Sequence, residues 1–203
     1  MAPTAADYAW FEEDFSELAE AYCVMLVRGL TPAQVLARLG ARTDGPHMTG
    51  VDALCRFSSD THGEHNGREQ GLGVTAVGDW ALVIEPNGYL SVSEETIVPL
   101  SARTRLVSHG SNVNAAGNFY WVEDGEVRLT FEPLFPSHRN GTSADALLGT
   151  MREAGFDLAD GDDDANLDCD HAAFALAEHL TGVRITPEIL REGSYLCGAT
   201  PYP

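Results

Sequence analysis

Four stretches hold residue types that could do chemistry. His62-Gly-Glu-His65 sets two imidazoles three residues apart, a spacing that can share a metal ion. The zincin spacing HExxH is not met, and no cysteine or third histidine stands nearby to complete a ligand set, so a solvated polar loop is expected. Asp160-Gly-Asp-Asp-Asp-Ala-Asn-Leu-Asp168 would supply Asp162, Asp164 and Asn166 to an EF-hand loop. That loop needs glycine where Leu167 stands and glutamate where Ala173 stands. The run reads instead as an acidic loop whose last members cap the next helix and favour its dipole, with weak calcium binding as the other use. No metal site is assigned to either stretch.

Ser108-His-Gly-Ser-Asn-Val-Asn114 gathers a serine pair, a histidine and two asparagines within seven residues. Acyl transfer would require an activated nucleophile, a base and an orienting acid. There is no GxSxG elbow, and Cys23, Cys55, Cys169 and Cys197 carry no local catalytic signature. No catalytic residue is therefore assigned. His109, Asn112 and Asn114 are kept as binding candidates, with turn geometry as their competing role. The fourth stretch is the hairpin of residues 119–132. Its alternation puts Tyr120 and Val122 with Arg128, Thr130 and Glu132 on an outer face, and Trp121 and Arg139 flank the region as further binding candidates. Tyr and Arg are favoured at interfaces, so this is a candidate contact surface; a cross-strand Arg–Glu lattice is the alternative. Gly71-Leu-Gly73 lacks the third glycine and the following helix of a dinucleotide loop, so no cofactor is expected.

The elements that must position these residues change period along the chain. Phe11, Phe15, Leu18, Tyr22 and Met25 form one apolar stripe at helical spacing, predicting a helix that Gly29 ends. Thr31-Pro32 with Gln34 starts a second helix as a capping box, closed by Gly40. Residues 51–57 are a short helix or strand, and 58–71 an exposed, mobile loop. Strands are predicted over 72–77, 80–85, 105–109, 119–123 and 126–132, with a sixth at 89–92. Gly78-Asp79 and Asp124-Gly125 supply the tight turns. A brief helix is expected over 94–100, and helices return at Ser143, near Asp170 and at Thr186-Pro187. The segments around Thr31-Pro32 and Thr186-Pro187 echo one another, which convergent capping explains better than duplication. The order predicts a single α+β domain. Its antiparallel sheet of five to six strands is covered on one face by the N- and C-terminal helices.

The chain has 203 residues, of which 44% are apolar and 21% charged, the composition of a globular domain. Thirty-one acidic residues against twelve arginines, with no lysine, give a net charge of −19. That charge repels phosphate, and the arginines are scattered singly, so nucleic acid and anionic membrane surfaces are excluded as partners. A basic protein remains a partner of the right sign. No apolar run approaches a bilayer span. The N-terminal residues lack the basic and apolar regions of a secretory signal, and the dispersed cysteines read as reduced thiols, so a cytoplasmic setting is expected.

Several segments carry a resemblance: AYCVMLVRGLTPAQVLARLG at 21–40, GDWALVIEPNG at 78–88, VSHGSNVN at 107–114, FYWVEDGEVRLTFEP at 119–133 and ALAEHLTGVRITPEIL at 175–190. With residues 7–11 and 151–157, they resemble domain-of-unknown-function family 6461, common in Streptomyces and its relatives. The arginine-for-lysine bias fits the GC-rich DNA of such actinobacteria. The resemblance implies no activity. The expected function is an acidic, non-enzymatic protein-binding module, such as an immunity-type or regulatory partner. Its rival is a small-molecule binder or enzyme using the residues around His109.

Overall fold

Residues 22–28 are apolar from Tyr22 to Val27, with no polar position to mark a wet face. Such a run suits a strand buried on both sides. In a computed structural model, which describes residues 2–42, 45–159 and 168–201, it is the central strand of the molecule. The predicted helix stops short of it: α1 (Trp10–Asp14) and α2 (Ser16–Ala19) hold Phe11, Phe15 and Leu18, and β1 (Tyr22–Arg28) takes over. The helical stripe was therefore half right. Tyr22, Val24 and Leu26 face one core, while Cys23, Met25 and Val27 face another.

The remaining elements are α3 (Pro32–Arg38), β2 (His47–Thr49), α4 (Val51–Glu64), β3 (Glu69–Val77), β4 (Trp80–Pro86), α5 (Glu94–Leu100), β5 (Arg105–Ser111), β6 (Phe119–Glu123), β7 (Glu126–Phe131), β8 (Arg139–Asn140), α6 (Leu148–Ala154), α7 (Cys169–Thr181), α8 (Pro187–Glu192) and β9 (Ser194–Pro201). The α+β class holds. The sheet has nine strands, not five or six, in the order β2-β9-β3-β4-β1-β5-β6-β7-β8. Every neighbouring pair is antiparallel. Residues 89–92 form a 3-10 turn instead of a strand, and residues 58–64 continue α4 where a loop was expected.

Helices cover both faces. The N-terminal helices, α4, α6 and α7 pack on the face of Tyr22, Val24 and Leu26, joined there by Leu82, Ile84, Phe119 and Phe131. On the other face, Val35 and Leu36 of α3 and Ile97 and Leu100 of α5 close over Met25, Val83 and Leu106. The single covered face of the sequence reading is thus corrected. Tyr120 and Val122, expected on a wet surface, belong to this second core at 4% and 0% exposure.

Antiparallel order also sorts the two ends of the sheet. β4, β5 and β7 run the same way, so they finish at one end, where β1 and β6 begin. The opposite end carries the finish of β1 at Arg28, the start of β5 at Arg105, and the β6–β7 turn at Asp124-Gly125. That turn holds φ of +48° and +79°, the pairing that matches hairpin twist.

Candidate functional site

His109 lies near the finish of β5 and is 1% exposed. Its Nδ1 is 3.3 Å from the Tyr22 hydroxyl, and its ring packs edge-on against Phe174 and parallel to Phe119. Tyr22 is also hydrogen-bonded to the Asp170 carboxylate at the start of α7. The arrangement that gives each proton an acceptor has the phenol donating to Asp170 and Nδ1–H donating to the phenol oxygen. Nε2 is then a bare acceptor without a partner, enclosed in the core. Burial pushes the imidazole down to about 3, so it stays neutral, and burial raises both Tyr22 and Asp170. A general base must reach a substrate proton. His109 is walled in by aromatic rings, and it ties β5, β1 and α7 together.

The other sequence candidates do not converge on it. Asn112 Oδ1 accepts the backbone N–H groups of Asn114 at 2.9 Å and Ala116 at 3.3 Å, so this side chain templates its own loop. Asn114 itself is exposed. Trp121 packs at the edge of the first core and donates Nε1–H to Glu123. Arg128 is the extra residue of a bulge in β7; its guanidinium lies 5.8 Å from the Trp121 ring centre and pairs with Glu126 at 3.1 Å. With Arg105 and Glu123 paired at 2.7 Å, this is the Arg–Glu lattice offered as the alternative. Arg139 is held by Asp145 and by the Ser137 carbonyl.

The end of the sheet around residues 110–117 is nevertheless sculpted. Val113, 70% exposed, lines a cleft of about 370 Å³ with Glu17, Glu20, Cys55, His62 and Asn87. Burial first, then the charges of Glu17 and Asp52, push the Cys55 thiol up to about 12, which keeps it protonated at neutral pH. Phe135, 44% exposed, lines a second depression of about 350 Å³ with Glu94, Tyr120, Glu132 and His138. A pocket of about 140 Å³ shares Glu132 with it and is floored by Gly110, Leu134, Cys169 and Asp170. None of Val113, Phe135, Glu17, Glu20 or Glu94 was singled out from the sequence. Only strand order brings them to one end, although an exposed valine between two turn-forming asparagines was a readable cue.

Among the described residues no three His, Cys, Asp or Glu side chains gather as a metal-binding group. His65 instead pairs with Glu69 at 3.6 Å. The EF-hand-like ligands Asp162, Asp164 and Asn166 lie outside the described residues. No described helix is long and apolar enough to cross a membrane.

The family of unknown function DUF6461 matches residues 1–203, and the chain belongs to it. No curated protein and no solved structure matches the chain.

Proposed function

We propose that this member of the family is a non-enzymatic recognition module that docks a basic protein partner at the end of the sheet where β4, β5 and β7 finish. An immunity-type or regulatory role, in which binding neutralises or controls the partner, suits such a module. One observation carries the reading. Val92, Val113 and Phe135 are the exposed large hydrophobic residues of the described chain, and each follows one of those three strands. Four strand spacings separate β4 from β7, so these strands finish within about 19 Å of one another. Isolated exposed apolar residues mean little; a cluster rimmed by polar groups marks an interaction surface. Here the rim is Glu17, Glu20, Glu94 and Glu132, so complementarity selects a partner of positive charge.

The rival, chemistry at His109, needs His109, Asn112, Asn114 and Arg139 to line one pocket. They are engaged separately, in the core, in the 112–116 turn, at the surface and with Asp145. The basic partner is tested by photo-crosslinking in the native host from positions 113 and 135, with Ala102 at the opposite end as control. The expected result is one basic protein labelled from 113 and 135 but not from 102. Labelling should fall with Glu17→Gln/Glu20→Gln and as salt rises from about 50 to about 500 mM. The same partner labelled only from 102, or a complex indifferent to both salt and these carboxylates, would overturn the reading.

A further inference from the structure

Two arginines among the described residues lie over aromatic rings, and each also pairs with a carboxylate close to that ring. Arg191 stands 5.2 Å from the Phe15 ring centre and pairs with Asp14 at 2.6 Å. Arg128 stands 5.8 Å from the Trp121 ring centre, with Glu123 at 4.0 Å and Glu126 at 3.1 Å. The shared chemistry is simple. A planar guanidinium offers its face to the ring and its edge N–H groups to carboxylates.

The depression beside Phe135 has a ring and carboxylates but no arginine. β6, β7 and β8 build its floor, where Tyr120, Thr130 and Asn140 are direct neighbours across the three strands. Glu132 lines it two residues after Thr130. The Phe135 N–H donates to the Glu132 carbonyl at 2.8 Å, a turn that keeps the ring next to that carboxylate. Glu94, the first residue of α5, lines it as well; burial first, then the Glu94 charge, raises the Tyr120 phenol. Among the described residues neither Glu94 nor Glu132 has an ion-pair partner. Arg139, next to the lining residue His138, is held by Asp145 and by the Ser137 carbonyl. Exposed ion pairs alone contribute little, so the exposed ring decides which cation suits the place. A lysine ammonium is a compact point charge, whereas a guanidinium can lie flat on the ring and reach two carboxylates at once.

We infer that the basic partner anchors itself here with an arginine, its guanidinium laid on Phe135 and held by Glu94 and Glu132. The inference rests on the docking reading above and names the residue type that makes the contact. The probes are three capped tripeptides, Gly-Arg-Gly, Gly-Lys-Gly and Gly-Gln-Gly, titrated into the whole chain at constant ionic strength. The resonances of the Phe135 ring and of the Asn118 and Asn140 side-chain amides, which line the depression, provide the readout. Gly-Arg-Gly is expected to move them and to saturate at about 10 mM. Gly-Lys-Gly should bind at least about threefold more weakly, and Gly-Gln-Gly should not saturate. Phe135→Leu should remove the preference for arginine over lysine, and Glu94→Gln/Glu132→Gln should weaken Gly-Arg-Gly at least about fivefold. Glu17→Gln/Glu20→Gln, outside the depression, should leave it unchanged. Equal affinity for the arginine and lysine peptides, or equal losses in the two carboxylate double variants, would overturn the anchor, even where a basic protein is still crosslinked from 113 and 135. Arginine preference in the titration with no basic protein crosslinked would support the arginine site and overturn the docking reading instead.

Discussion

Two buried ionisable groups, His109 and Glu85, pull stability in opposite directions with pH. Burial holds the folded imidazole near 3, against an ordinary 6.5, so the unfolded chain takes up a proton that the folded chain refuses. The stability that His109 contributes is present above pH 6.5 and is lost as pH falls toward 3. Glu85 is fully enclosed; burial raises it from 4.5 to about 8, partly offset by the N–H groups of residues 88–90. The folded chain keeps this proton where the unfolded chain has released it. The stability is therefore present below pH 4.5 and lost as pH rises through about 8. At about 1.4 kcal/mol per pKa unit, each limb is on the order of a few kcal/mol. Urea unfolding between pH 4 and 9 should show Glu85→Gln flattening the alkaline limb and His109→Gln the acid limb. An unchanged limb in either variant would refute its assignment. The histidine was visible in the sequence as a chemical residue, but its partners were not. Tyr22 was read into a helix and Asp170 as a cap, because side-chain meetings 87 residues apart leave no local trace.

At the scale of elements, the legible strands were those with one half-polar face or a marked turn. β6 and β7 alternate around Asp124-Gly125, and β3 and β4 meet at Gly78-Asp79. β1 escaped because both its faces are buried: with every position apolar, a period of two cannot show, and i, i+4 matches arise by chance. β2 and β8 have three and two residues, too few for any pattern, and in β9 Gly198, Ala199 and Pro201 interrupt the strand formers Tyr195 and Thr200. α4 ran past residue 57 because its later turns are largely exposed and so read as loop. The helix starts were legible because they are chemical: Thr31 and Thr186 each accept an N–H from the third helical residue. Thr31→Ala and Thr186→Ala should each cost about 1 kcal/mol in chemical denaturation. Glycines give a sharper contrast. Gly40 and Gly88 both have positive φ, +67° and +75°, but an added Cβ meets nothing within 4 Å at Gly40 and the Ser111 carbonyl at 2.0 Å at Gly88. Gly40→Ala should cost about 1–2 kcal/mol from the backbone alone. Gly88→Ala should cost more, because the turn after β4 must move off β5. Equal losses would mean that this packing is not maintained in solution.

Across the whole molecule, the exposed large apolar side chains collect at the end where β4, β5 and β7 finish. That end is rimmed by carboxylates; the opposite end mixes Arg28, Arg103 and Arg105 with Glu123 and Asp124. Nothing in the composition shows this, since a net charge of −19 is a sum and says nothing of where the charges stand. The same excess of carboxylates should make the fold salt-dependent in a definite direction. The ion pairs are mostly exposed, such as Arg42–Glu69 and Arg184–Asp7, and are worth about 0–1 kcal/mol each. Self-repulsion among the remaining carboxylates is spread over the surface and favours expansion. Raising sodium chloride from about 10 mM to about 1 M shortens the screening length from about 30 Å to about 3 Å, which removes repulsion between neighbours but hardly touches contact pairs. The melting temperature should therefore rise with salt, most steeply in the low range. A melting temperature that falls with sodium chloride would mean that the ion pairs outweigh the repulsion.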